Sequence, residues 1–329
     1  MATYKGIQGY SVQKLSSDPT ASEAAGQLWY NSGTGKFKVG TQGTGTWSAA
    51  TPINTGRRAN PGGVGVQTAG LIVGGNKGPV GVVDIVESYN GTAWSEEADL
   101  LAAKEYQPAV GTQTAALTYA GNTIPGGVSD TNESWNGTSW TEGNNLTTAR
   151  GWLAGSGTQT AAMAFTGATS SPSPSVLTEI YNGTSWTEGG DISTARQQSS
   201  PSVAGSTTAT LCYGGSYPSP PASGTLKTES WNGTSWSEVN NLNTARAAGG
   251  GAGTSTSALF SGAYSPTSYT EQWDGTSWTE VADLASGRGN SASLGASGGV
   301  ALTASGQSDS ALCEEWNNPV YTIKTVTVS

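Results

Sequence analysis

The chain of 329 residues has no histidine, two cysteines, two methionines and three phenylalanines. Without histidine there is no Ser-His-Asp triad, no imidazole metal site and no histidine proton shuttle, so any catalysis would fall to carboxylates and phenols. Charged residues make up only 11% of the chain and hydrophobic residues only 35%. The 14 basic residues form no patch or stripe and the formal net charge is −9, which argues against a nucleic-acid partner. No apolar run approaches a membrane span, and Met1-Ala-Thr-Tyr-Lys-Gly carries no apolar export signal. We therefore expect no membrane insertion and no standard secretion. Cys212 and Cys313 fall at non-equivalent places and read as buried thiols, with no disulfide indicated. Low charge combined with low hydrophobicity suggests disorder, but 12 Trp and 12 Tyr at regular spacing argue against it, because each can bury a large apolar surface.

Those aromatics belong to a repeat. Tyr89-Asn-Gly-Thr-Ala-Trp94, Trp135-Asn-Gly-Thr-Ser-Trp140, Tyr181-Asn-Gly-Thr-Ser-Trp186, Trp231-Asn-Gly-Thr-Ser-Trp236 and Trp273-Asp-Gly-Thr-Ser-Trp278 recur at intervals of 42 to 50 residues. A period of this size marks stacked or radially arranged units. Asn-Gly between two strand-like runs predicts a hairpin with a two-residue type I′ turn. Asn90, Asn136, Asn182 and Asn232 also match the glycosylation sequon and read here as turn residues. Six residues after each tryptophan, Trp47 included, comes Ile53, Leu100, Leu146, Ile192, Leu242 or Leu284. Ten residues after it comes a base: Arg57, Lys104, Arg150, Arg196, Arg246 or Arg288. So regular a connection is a packed linker. A small-residue strand and a more apolar one, such as Leu71-Ile-Val-Gly-Gly, follow each base, so each repeat reads as a four-stranded antiparallel meander.

Two residues before each hairpin aromatic stands a glutamate: Glu87, Glu133, Glu179, Glu229, Glu271 and Glu314. Residues i and i+2 share a strand face, which sets each glutamate beside its aromatic. Six acids matching six bases are read as ion pairs within or between repeats; the alternative is a cation or sugar site on a central axis. A second acid, two after each hairpin tryptophan (Glu96, Glu142, Glu188, Glu238, Glu280), is read as a solvated position. The length that varies lies between the second and third strands, as in Ser170-Ser-Pro-Ser-Pro-Ser and Ser216-Tyr-Pro-Ser-Pro-Pro. Such loops accept change while the scaffold does not. Their aromatics Tyr217, Tyr264 and Tyr269 are the candidate ligand-binding residues.

Meanders of this period, with a double glycine closing the second strand (Gly74-Gly75, Gly214-Gly215) and aromatics on the third and fourth strands, resemble kelch repeats. The resemblance covers about residues 44 to 321 and implies an all-β fold, a six-bladed β-propeller of four-stranded blades beginning near 57, 104, 150, 196, 246 and 288. The last repeat reaches Glu314-Glu-Trp316-Asn-Asn and then lacks Gly-Thr-Ser-Trp. The front of the chain, Gly45-Thr46-Trp47, supplies the missing piece, so we expect residues 44–50 to close the last blade. The competing expectation is closure by the alternating strand from Tyr321. The enzymes of this class argue against catalysis here: the copper site of galactose oxidase uses histidines, and sialidase-like turns carry their acid in another register. We expect no enzymatic activity, no cofactor and no metal.

Residues 1–43 stand outside the repeat. Gln27-Leu-Trp-Tyr-Asn-Ser-Gly-Thr-Gly-Lys-Phe-Lys-Val39 reads as a hairpin around a Gly-rich turn, and residues 322–329 as a C-terminal strand or tail. The Leu-Trp-Tyr-Asn…Gly-Lys-Phe-Lys-Val pattern resembles segments of fibre-like and accessory virion proteins of tailed bacteriophages. That resemblance implies a virion protein whose N-terminal segment docks on other virion proteins and whose propeller displays loops to a host-surface glycan or protein. The alternatives are a capsid or tail decoration or connector protein and, less favoured, a carboxylate-dependent polysaccharide-degrading enzyme.

Overall fold

Each Gly/Ala/Ser-rich stretch after a base, the apolar stretch behind it and the two arms of the hairpin form one antiparallel sheet. The computed structural model describes residues 12–20, 24, 27–42, 45–125, 127–170, 173–217, 224–265, 267–318 and 321–326. Residues 171–172 and 218–223, in the two Ser/Pro-rich connections, thus lie outside the described residues. In blade 1 the strands are Gly62–Val66, Ala69–Val73, Val86–Tyr89 and Trp94–Glu96, paired in that order. Five further sheets repeat this meander. The innermost strands, Gly62–Val66, Ala109–Thr112, Ala154–Thr158, Ser200–Pro201, Gly250–Thr254 and Ala292–Ser297, each neighbour the next, and the last neighbours the first. The fold is a six-bladed β-propeller.

The composition follows from this geometry. Second strands lie between two neighbouring blades and are mostly apolar and buried, as in Leu71-Ile72-Val73, with 0% exposure at all three residues. Innermost strands approach each other closely at the axis and need small residues. A Cβ on Gly63 would stand 2.5 Å from the Ser293 carbonyl oxygen. The hairpin tryptophans pack on aromatics of the preceding blade: Trp186 on Tyr119 at 4.7 Å, Trp236 on Phe165 at 4.9 Å and Trp278 on Tyr213 at 4.8 Å between ring centroids. The linker Leu or Ile is buried in all six blades, at 2–4% exposure.

The sixth sheet is completed from the front of the chain. Thr46–Ala50 pairs antiparallel with Cys313–Asn317, placing Trp47 opposite Trp316 with ring centroids 5.5 Å apart. The five contiguous hairpins hold the same cross-strand aromatic pair at 4.7 to 5.5 Å. Tyr321–Thr325 instead pairs with Lys36–Gln42, because the edge of the sixth blade is already occupied. The boundaries expected at 43/44 and 321/322 therefore fall elsewhere. Thr46–Asn317 forms one compact unit, and Met1–Gly45 with Asn318–Ser329 forms the other.

In that smaller unit Leu28–Asn31 pairs antiparallel with Lys36–Gln42, as the N-terminal hairpin requires, and Gln13–Leu15 adds a parallel strand at the other edge. Trp29 is buried at 2% exposure, and its indole N–H donates to Asp18 Oδ1 at 3.1 Å. The Asn31 amide donates to the same oxygen at 2.6 Å, and this bond is the main influence holding the exposed Asp18 carboxyl below its usual range.

The blade turns differ from the expected type I′. Tyr89 faces Trp94 across the ladder, so four residues form the loop, and only the glycine has positive φ, from 90° at Gly91 to 98° at Gly275. The asparagine acts through its side chain. Asn136 Oδ1 accepts the N–H groups of Thr138 and Ser139, both at 2.9 Å. Asp274 does the same for Thr276 and Ser277 at 2.8 Å, which explains how an aspartate serves in the fifth blade. The aromatic pair fixes the loop length, and four residues leave no need for φ > 0 at the first position.

Substitutions test the blade closure and the turn. Trp47→Ala should lower stability by about 2–4 kcal/mol through loss of core packing, measured by denaturant unfolding of the full chain. Asn136→Asp should leave stability within about 0.5 kcal/mol, a typical tolerance for surface changes. Asn136→Ala and Gly137→Ala should each cost about 1 kcal/mol, from the lost side-chain acceptors and the strained φ respectively.

Candidate functional site

The glutamates and bases meet inside their own blades. Oxygen–nitrogen distances are 3.3 Å for Arg57–Glu87, 2.8 Å for Lys104–Glu133, 2.9 Å for Arg150–Glu179, 3.1 Å for Arg196–Glu229 and 2.8 Å for Arg246–Glu271; Arg288 and Glu314 are likewise in contact. All twelve side chains are at most 5% exposed. The remaining carboxylate oxygen accepts the backbone N–H just after the linker Leu or Ile: Asn54, Leu101, Thr147, Ser193, Asn243 or Ala285, at 2.7 to 2.9 Å. The arginines use their other nitrogen on main-chain carbonyls near the second and third strands. Arg150 donates to Thr166 and Leu177, and Arg246 donates to Tyr269 at 2.6 Å. Burial pulls the Arg57 guanidinium down to about 10 against the opposing attraction of Glu87. It also pulls Lys104, Arg150 and Arg246 downward.

These carboxylates are committed inside the blades, so they form no free acidic ring on the axis, and the cation or sugar reading of that ring is withdrawn. Among the described residues there is no group of three or more His, Cys, Asp or Glu able to hold a metal. The second acids, Glu96 to Glu280, are exposed on the fourth strands. Cys212 and Cys313 are buried free thiols. No helix among the described residues is long and apolar enough to cross a membrane.

The chemistry left over collects on one rim. After each base the chain pairs briefly with its blade's second-to-third strand connection: Arg58 with Asn76, Glu105 with Asn122, Gly151 with Ala168 and Gln197 with Ser216. In blades 5 and 6, Tyr264 donates its N–H to Ala247 and Gln307 to Gly289. The unequal loops therefore border the central opening. Tyr264 and Tyr269, 52% and 48% exposed, line one groove of about 110 Å³ together with Gly224, Thr267 and the linker entering blade 5. Tyr217 stands on the neighbouring connection with its hydroxyl 3.3 Å from that of Thr225. A smaller cavity of about 50 Å³ lies on the axis among residues of all six blades, Asn60, Gln107, Ser199 and Ser293 among them.

Two rings of backbone hydrogen bonds frame the opening, and sequence reading missed both. The residue two after each base, Ala59, Tyr106, Trp152, Gln198, Ala248 or Asn290, has left-handed φ between 54° and 65°. The N–H of each of the last five donates to the carbonyl of the one before it, and Asn60 N–H closes the circle on Asn290. Farther out, the residue two after each second strand, Gly75, Gly121, Gly167, Gly215, Ala263 or Gly306, donates to the carbonyl of the next blade's base at 2.7 to 3.1 Å. Thr178, Thr228 and Thr270 accept the indole N–H of the following blade's Trp236, Trp278 and Trp47. Gln67, Gln113 and Gln159 reach the preceding blade's carbonyls. Their common place, just before the second strand, was a signal available in the sequence.

No family model matches the chain, and no curated protein matches it in sequence. Among solved structures, that of YjhT aligns with a TM-score of 0.65 at 10% identity, covering 84% of this chain and 99% of that one. This likeness concerns the β-propeller fold.

The ion pairs give a direct test. Arg246→Met should cost about 3–5 kcal/mol by stranding a buried carboxylate, and Arg246→Met with Glu271→Leu should cost clearly less than the two single changes summed. Chemical denaturation of the four proteins measures the coupling.

Proposed function

We propose that this chain is a non-enzymatic binding protein of a bacteriophage particle. Its kelch-like propeller presents the loop-bearing rim to a host-surface glycan, and the smaller unit attaches it to other virion proteins. The observation that carries this reading is the division of labour within the repeat. The six repeated base–glutamate pairs are committed to holding the blades together, while the exposed aromatics Tyr264 and Tyr269 lie on unequal loops at one rim. An attachment protein requires a constant frame and a variable face. Tyr264 and Tyr269 offer half-exposed rings beside a groove, a surface suited to stacking on sugar rings. The virion assignment draws its support from the Leu28–Asn31 and Lys36–Gln42 hairpin, which carries the Leu-Trp-Tyr-Asn…Gly-Lys-Phe-Lys-Val pattern.

Purified protein should bind susceptible host cells or their surface glycans. Tyr264→Ala with Tyr269→Ala should weaken that binding about tenfold, a loss of roughly 1.4 kcal/mol, while thermal stability stays near the parent's. Unchanged binding would remove the groove from the site. Absence of any host binding, together with a fixed copy number at an internal place in the particle, would favour a decoration or connector protein. Degradation of host polysaccharide would favour the enzymatic alternative.

A further inference from the structure

The six residues of the inner hydrogen-bonded ring have the same backbone and unequal side chains. The ring uses only main-chain N–H and C=O groups, with φ near 50–65° at every member. Glycine or asparagine meets that demand most easily, and a bulky side chain in this region is an outlier. Ala59, Ala248 and Asn290 are small enough to be buried there, at 1–5% exposure. Blades 2 and 3 instead carry Tyr106 at φ 54° and Trp152 at φ 56°. Both stay partly exposed, with ring centroids 5.4 Å apart and planes tilted by 38°. The hydrogen-bonded ring gives no reason for two adjacent aromatics, and the apolar core lies between the blades. Strain retained without a structural return is characteristic of binding sites.

The surroundings narrow the ligand. The side-chain oxygens of Asn60 and Asn290, both on the ring, are buried and have no hydrogen-bond partner within the protein. They are acceptors suited to hydroxyl donors. Glu105 stands beside Tyr106 and accepts the Asn76 amide at 2.8 Å. Arg58 is paired with Asp309 at 3.6 Å, and Glu105 together with the chain's net charge of −9 disfavours an acidic sugar. Aromatic faces next to unpaired carbonyl acceptors and a carboxylate fit a ligand with an apolar C–H face, hydroxyl donors and no charge.

We infer that the mouth of the propeller axis is a binding site for a neutral pyranose sugar, with Tyr106 and Trp152 as the stacking platform and the ring asparagines as acceptors for its hydroxyls. This site is distinct from the Tyr264–Tyr269 groove, and it rests on the reading of the rim as a glycan-binding face. Tyr264 also borders it through its main-chain bond to Ala247, the neighbour of ring residue Ala248.

The test uses the full chain, a panel of neutral and acidic oligosaccharides, and host cells. Trp152→Gly suits the backbone at φ 56°, so its melting temperature should not fall, while affinity for the neutral sugar that the parent binds should drop at least tenfold. Tyr106→Phe keeps the platform and should bind within about twofold of the parent. Undiminished sugar binding by Trp152→Gly, or a parent that binds only acidic sugars, overturns the inference and leaves the rim reading intact. A fall in melting temperature for Trp152→Gly with sugar affinity retained would show a structural role and also overturn it. A parent that binds neither sugars nor host cells overturns both.

Discussion

A carboxylate and a guanidinium taken out of water together each lose several kcal/mol of hydration, and their attraction offsets this only when the remaining donors and acceptors are satisfied. In blades 1, 3 and 4 three parts of the chain help meet that condition, although the guanidinium Nε of each stays unpartnered. Glu179 takes Arg150 on one oxygen and the Thr147 amide on the other, while Arg150 reaches the carbonyls of Thr166 and Leu177. The pair therefore fixes the linker, the end of the second strand and the start of the third relative to one another. Burial still pulls Arg57, Arg150 and Arg246 downward despite their glutamates, so the pairs specify an arrangement more than they add net stability. Lys104 keeps the charge at 2.8 Å from Glu133 but lacks the planar fork that lets arginine serve two partners at once.

From that clamp the ring closes. The base holds its blade through its side chain and receives the preceding blade through its carbonyl, which accepts the N–H of Gly75, Gly121 or their equivalents. The junction between blades 6 and 1 is made the same way, by Gly306 on Arg57 and Asn60 on Asn290. Thr46–Ala50 adds a full strand ladder joining the front of the propeller chain to its end. A propeller seam is a natural place for a blade to peel away, and here backbone rings and a shared sheet bridge it together.

Most of the frame was legible because its demands recur. A tryptophan, a leucine or isoleucine six later, a base ten later and a glutamate on the third strand are enough to count six blades and to recognise Trp47 as the missing partner of Trp316. In the sequence Asn-Gly reads as a pair of left-handed residues, whereas the facing aromatics fix a four-residue loop in which asparagine works as an acceptor. Alternation at Tyr321–Thr325 announced a strand but carried no information about which open edge it would join. The backbone rings were illegible for a different reason. Their bonds involve no side chain, so Ala59, Tyr106, Trp152, Gln198, Ala248 and Asn290 share one conformation and no residue type. The same holds where Ala120 and Thr166 adopt the left-handed geometry of Gly74 and Gly214.

That last point bears on where such a fold can host function. A position whose side chain holds the blade is constrained six times over, since a change there meets the same buried partner in every repeat. A position whose main chain alone holds the blade imposes only a backbone cost, and any side chain able to bear that cost can occupy it. In this propeller such positions lie on the inner ring and along the unequal connections, and both border the same opening. Symmetry is thus broken where the architecture is least sensitive to it, and the broken positions are brought within reach of one another. Two adjacent strained aromatics among small and polar residues are the sharpest such break on the ring, because they persist against the backbone preference that the other blades largely follow.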